Sequence, residues 1–347
     1  MKYLYILMFI FVCNLCRSQE FEHKGLILQV CEDQTLALMD IDTMYFYQNG
    51  ETCCNVPKYV KYNGKRLPIT IVKHISPCNM IRKIVLPSSV TRFFSYAFAH
   101  NTASEIIIKS NVELISEGTF ISCKNLKKIE VPKSVKRIKR NAFSYCTSLE
   151  KIIIKGKTDI EDHAFFGCSG IKKFNIPDGV NEFHMLSLYG CDGIEKLYLP
   201  KSVDSLCVWP LKSLQHIVVD RKNKHFKSIK DVLYTRNREM LVLYPSGSTR
   251  KHYEIDDSVR IIGRKSFEGS DKLGSVVLPL NLEVIEECAF SRCSSLNHVK
   301  FPSHDFLIRE YAFYGCEKLI NVHFEYMPHM EKHSFDPNII VNKHQHD

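Results

Sequence analysis

A phenylalanine preceded by a small residue returns every 22 or 23 positions along much of this chain. The series runs Phe98, Phe120, Phe143 and Phe165, then Phe267, Phe290, Phe313 and Phe335, and Leu188 keeps the phase after Phe165. The preceding residues are Ala97, Thr119, Ala142, Ala164, Ser187, Ser266, Ala289, Ala312 and Ser334. Self-similarity at a fixed period of this length marks a chain built of stacked coils. Small residues beside a phenylalanine column suit a place where stacked backbones come close.

The rest of the unit repeats in phase. Three residues after each aromatic position stands Asn101, Cys123, Cys146, Cys168, Cys191, Ser270, Cys293 or Cys316. Aliphatic triplets follow, as in Leu126-Ile129-Val131, Leu149-Ile152-Ile154 and Ile194-Leu197-Leu199. The alternation that ends each triplet predicts a short, half-buried strand. Pro87, Pro132, Pro177, Pro200, Pro279 and Pro302 then follow, and a residue without an amide hydrogen ends the ladder. A second apolar pair, such as Val135 with Ile138 or Leu282 with Ile285, predicts another short strand across the coil. One unit cannot bury both faces alone, so neighbours must stack. Each large apolar side chain that stacking fully buries contributes about 1.5–3 kcal/mol, which offsets much of the ordering entropy.

The run Ile138-Lys139-Arg140-Asn141-Ala142-Phe143-Ser144-Tyr145-Cys146-Thr147-Ser148-Leu149-Glu150-Lys151-Ile152 resembles the BspA-like class of leucine-rich repeats. The resemblance covers roughly residues 56–335. It implies a leucine-rich-repeat solenoid of mostly short β-strands with brief helical turns and an N-terminal β cap. It also implies a secreted or cell-surface protein for adhesion or recognition, since the family is associated with surface contacts between cells and matrix.

Within that frame, residues 1–18 read as a secretory signal peptide, with Lys2, a short apolar run, and Cys16 and Ser18 at the −3 and −1 positions. Residues 19–74 are the expected β cap and lead-in, 75–206 the first repeats, and 207–262 an irregular repeat with a hairpin insertion. Residues 263–335 are further repeats and 336–347 a polar tail. No later segment reaches membrane-spanning length. Removing residues 1–18 deletes Lys2 and Arg17 and no acid, so the formal charge falls from +9 to +7. That balance suits acidic partners.

Cysteine is frequent, and a secreted chain invites disulfides. The column argues otherwise for most of them. Stacked rungs lie about 4.8 Å apart with parallel side chains, whereas a bridge needs Cβ atoms about 3.8 Å apart. Cys123, Cys146, Cys168, Cys191, Cys293 and Cys316 are therefore expected as buried thiols. Cys31, Cys53 and Cys54 lie outside the array and are better disulfide candidates, while Cys288 stands apart from its column. His329 and His333 are spaced for one helix face, but no Cys/His set has the closed spacing of a zinc site. No phosphate-binding glycine loop, nucleophile elbow or zinc-protease motif occurs. The expectation is a binding protein without cofactor or metal, not an enzyme.

Register names the candidate ligand-binding face. If Ile129 and Val131 point inward, their neighbours point outward, and the outward row reads Lys128, Lys151, Lys173, Lys196. These four are expected one rung apart, about 4.8 Å. The adjoining row is unusually apolar and includes Ile153 and Tyr198. Lys133, Lys136, Arg137, Lys139 and Arg140 add positive charge on the next turn. An extracellular protein or anionic glycan fits such a face; nucleic acid fits poorly without an aromatic stacking platform. Two other readings remain open here: a secreted enzyme with a site in 207–262, and a self-assembling structural surface protein.

Overall fold

The computed structural model describes residues 19–343, so the signal-peptide reading of residues 1–18 lies outside the described residues. The chain is a β-solenoid. Each coil is a front strand, an exit turn, a short back strand and a turn centred on the column phenylalanine. In front, Cys53–Asn55, Lys83–Leu86, Glu105–Ile108, Lys128–Val131 and Lys151–Ile154 form one parallel sheet. Lys173–Asn175, Lys196–Leu199 and His216–Val219 form the next, and His252–Glu254, Ser275–Val277 and His298–Lys300 another. Behind them run two-residue strands such as Leu114–Ile115, Arg137–Ile138 and Asp159–Ile160.

The phenylalanine turn explains the repeat's strictest positions. Residues two before and two after the aromatic take left-handed backbone: Asn141 (φ 57°) and Tyr145 (φ 60°) flank Phe143, and Cys288 (φ 57°) and Arg292 (φ 58°) flank Phe290. Cys288 thus departs from the cysteine column because it belongs to this other one. A non-glycine residue there costs about 1–2 kcal/mol, and the coil accepts it because the reversal points the ring inward. The Phe143 amide donates to the Ala164 carbonyl one coil on at 2.8 Å, and Phe290 donates to Ala312 at 2.8 Å. The small residue before each ring is fully buried at this backbone approach, which leaves no room for bulk.

Inside, the rings stack. Phe98, Phe120, Phe143 and Phe165 follow one another at centroid separations of 5.0, 5.0 and 5.1 Å. A second stack runs through Phe267, Phe290, Phe313 and Phe335. The irregular segment, which shows no column phenylalanine in sequence, starts that second stack with Tyr244, 4.8 Å from Phe267. Beside the rings runs the cysteine column. Each thiol donates to the phenylalanine carbonyl one coil back, as Cys146 does to Phe120 at 3.1 Å and Cys316 to Phe290 at 3.1 Å. Burial, with the next thiol alongside, pushes Cys168 and Cys293 well above the ordinary thiol range.

Two antiparallel units start the two arrays. In the cap, Tyr59–Tyr62 pairs antiparallel with Lys65–Val72, which then pairs parallel with the back strand Arg92–Phe93. In the irregular segment, Phe226–Ile229, Val232–Thr235 and Met240–Leu243 form a meander, not a lone hairpin, and the last strand pairs parallel with Ile261–Ile262. The meander sits between the two cores: Leu233, Val242 and Leu243 join the first, while Val232, Tyr234 and Leu241 join the second.

Several expectations are corrected. Cys31, Cys53 and Cys54 carry free thiols, as does every described cysteine. Adjacent strand residues point to opposite faces, so Cys54 turns into the core while Cys53 stays half-buried, and burial pushes Cys54 up to about 12. His329 and His333 share no helix: His329 lies in the strand His329–Met330 and His333 stacks on Tyr311 at 5.7 Å.

The lysine row is also not continuous. No hydrogen bond joins Lys151–Ile154 to Lys173–Asn175, or Asp159–Ile160 to Glu182–His184, among the described residues. The phenylalanine turn alone continues across, with Phe165 donating to Ser187 at 2.9 Å and Gly167 to Tyr189 at 3.0 Å. Two sequence details coincide with the opening. From Ile154 to Ile160 is six residues, where Val131 to Ile138 and Ile176 to Phe183 are seven, so this exit turn is one residue short. Phe174 and Phe183 then stand where the previous coil carries Ile152 and Ile160.

Candidate binding face

The front strands point Lys128, Lys151, Lys173 and Lys196 outward as the alternation requires. Lys128 stands opposite Lys151, Lys173 opposite Lys196, and Lys196 opposite His216. The opening separates the first pair from the second. Lys128 is already engaged: Glu130 takes Lys128 at 3.0 Å and Lys155 at 2.8 Å. Those two ammonium groups, Lys155 foremost, hold the Glu130 carboxyl down to about 2. One coil earlier, Lys83 meets Glu105 at 2.9 Å. Lys151, Lys173 and Lys196 have no acidic partner among the described residues.

The apolar neighbours are half-buried. Ile153 sits beside Lys151 at the opening, where Ile152 and Ile154 are also half-buried although they face the core side. Tyr198 lies beside Lys196 and donates its hydroxyl to Asp220 at 3.0 Å, and burial and that carboxylate push the phenol up. A groove of about 440 Å³ adjoins the row between Glu105–Ile108 and Lys128–Val131, lined by Lys109, Lys133 and Lys155 among others. Lys136 and Lys139 add nothing to this face: they sit at the back strands, where Glu113 takes Lys136 at 2.8 Å and Glu161 takes Lys139 at 2.9 Å.

The segment 207–262 also holds a pocket, of about 510 Å³. Tyr234 and Tyr253 share a hydroxyl hydrogen bond of 2.6 Å at its wall, and burial raises both phenols. Arg238 pairs with Asp256, and Arg250 donates to the Lys230 carbonyl at 2.9 Å. No thiol lines this pocket, and of its lining carboxylates Asp256 is held low by Ser258 and Arg238. The arrangement braces the meander with arginine and tyrosine. Among the described residues no cluster of three or more His, Cys, Asp or Glu is placed to hold a metal ion.

The repeat signature of the BspA type leucine rich repeat region matches six times, across residues 74–160, 148–231 and 246–342. The chain belongs to the BspA-type leucine-rich repeat family. Among solved structures, this BspA-type chain is similar to the pneumococcal vaccine antigen PcpA, with 21% identity and a TM-score of 0.63 over 94% of this chain and 81% of that one. A leucine-rich cell surface protein from Faecalibacterium prausnitzii is similar at 18% identity and TM-score 0.53, over 92% of this chain and 86% of that one. At such identities the likeness is one of fold. No curated protein matches the chain in sequence. Among the described residues no helix is long and apolar enough to cross a membrane.

Sequence reasoning missed two features of this BspA-type face. One is the opening inside the lysine row. Its signal was legible as the six-residue exit step and the two substituted phenylalanines. The other is the clamp on Lys128. Glu130 belongs to the adjoining outward row, so the alternation placed a carboxylate next to the lysines without saying which it would grip.

Proposed function

We propose that this chain is a non-catalytic binding protein of the extracellular side. In this reading the front face of the first array contacts an acidic protein or an anionic glycan. The observation that carries the reading is the set of three lysines, 151, 173 and 196, free of acidic partners beside half-buried Ile153 and Tyr198. An exposed cation without a counter-ion attracts an anionic ligand over about 8–10 Å at physiological salt. Apolar side chains next to it supply contact area that charge alone lacks. The description of one structural neighbour as a cell surface protein supports the location.

The test is Lys151→Glu, Lys173→Glu and Lys196→Glu combined, compared with the unaltered chain for retention on immobilised heparin and on acidic extracellular proteins. Retention on at least one of them is expected to fall sharply while the circular dichroism spectrum stays unchanged. Equal retention of both forms on every surface would end this reading.

A further inference from the structure

The opening in the front sheet exposes more than lysines. In a parallel ladder, successive residues bond alternately to the two neighbouring strands. Lys151 and Lys155 donate back, to Lys127 at 3.2 Å and Val131 at 3.2 Å. The amides and carbonyls of Ile152 and Ile154 therefore face the opening. On its far side, Lys196 donates to Lys172 at 3.2 Å and Ile176 donates to Tyr198 at 3.0 Å. The backbone groups of Lys173 and Asn175 accordingly face the opening from the other edge. Neither edge finds a protein partner among the described residues.

Backbone groups beside an apolar core are rarely left unmatched, and an open strand edge is a template for another strand. A strand inserted between two others needs them about 9.6 Å apart, twice the usual spacing. Lys151–Ile154 and Lys173–Asn175 are not paired, and they stand farther apart than the paired strands on either side of them. The walls carry a pattern of their own. Ile152 and Ile154 offer apolar surface on the core side, and Lys151 and Lys173 stand on either side of the outer face.

We propose that the opening between Lys151–Ile154 and Lys173–Asn175 seats an extended peptide strand of a partner protein, with acidic side chains outward and apolar ones inward. This rests on the reading of the front face as the contact surface and gives its partner a chemistry. Main-chain hydrogen bonds from both edges supply affinity, and the alternation of pockets supplies specificity. A glycan lacks the regular donor and acceptor row that these edges match. The partner's outward carboxylates take the two lysines that have no acid of their own, whereas Lys128 is already held by Glu130.

The probe is a synthetic octapeptide alternating Glu and Val, titrated into the full chain while amide hydrogen exchange is followed by residue. In the free protein Ile152, Ile154, Lys173 and Asn175 are expected to exchange quickly and Ile153 slowly. The peptide is expected to protect those four amides. Lys151→Glu with Lys173→Glu is expected to weaken binding by roughly ten-fold or more, in line with two charge contacts turned repulsive. A second form, Phe174→Ile with one proline inserted after Ile154, restores the seven-residue step and is expected to close the sheet and abolish binding. Slow exchange of Ile152 and Ile154 in the free protein would overturn the proposal, as would peptide binding without their protection. If heparin retention depends on the three lysines while the peptide never binds, the face stands as a glycan surface and the strand-seating proposal falls alone.

Discussion

In the first array the outward front row carries Lys128, Lys151, Lys173 and Lys196; in the second the same row carries His252, Ser275, His298 and Asn321. Behind these rows the two arrays are built alike. Each has its ring stack, its thiol column donating to ring carbonyls, and an antiparallel unit that supplies the first back-sheet strand. The inside is therefore constrained by stacking and the outside is free to diverge. Charge falls differently as well. Several second-array arginines are tied across coils, as in Arg264 with Glu287 at 3.1 Å and Arg309 with Glu331 at 3.0 Å. The first array leaves three front lysines untied. Its front sheet parts in the middle of the lysine row, whereas the second array's parts only before its last coil, between His298–Lys300 and Asn321–Phe324.

The largest expected effects test whether the interiors are equivalent. Phe143→Ala and Phe290→Ala should each cost about 3–5 kcal/mol, because each empties a fully buried ring position between two others. Denaturation followed by amide exchange checks this, and the loss should centre on the array that carries the change, since the cores are separate clusters. Tyr244→Ala should cost about 3–5 kcal/mol as well and loosen the second array more than the first, because Tyr244 belongs to the second cluster. Uniform loosening of both arrays would erase the division drawn at the meander.

Smaller effects refine it. Cys146→Val removes a thiol donor from the Phe120 carbonyl and should cost about 1–2 kcal/mol. Cys293→Val should cost about the same. The smallest concerns Glu130. Its carboxyl is held at about 2 against an ordinary 4.5, so its pairing stabilises the fold above the ordinary value and is lost as pH falls toward 2. Both partners are well exposed, so this amounts to less than about 1 kcal/mol. Stability measured from pH 6 to 2 in the unaltered chain and in Glu130→Gln should differ only at the upper end.

Most of the interior was legible in sequence because stacking imposes it. Phe120, Phe143, Phe165 and Phe290 recur in phase and are all fully buried. The place of Tyr244 in the ring column escaped notice although it lies 23 residues before Phe267, since Leu243 breaks the small-residue rule that flagged the others. The left-handed columns were hidden because Asn141, His163, Cys288 and Tyr311 share a backbone conformation without sharing a residue type. At the front face, alternation placed every side chain on its side. It said nothing about distance across rungs, which alternation within one strand does not set. For the same reason the lysine row read as continuous in sequence and is divided in the fold.

The measurement that bears most directly on the account is a transplant between the two front rows. Lys151→Glu, Lys173→Glu and Lys196→Glu remove the first row, and His252→Lys, Ser275→Lys and His298→Lys then build three lysines into the second array of the same chain. Binding to an acidic ligand that the unaltered chain retains should be lost in the first step and should not return in the second, because the second row lacks Ile153 and Tyr198 and its three strands are paired without a break. Full recovery in the second step would mean that any row of lysines on the rod suffices, and the first array would lose its claim to be the contact face.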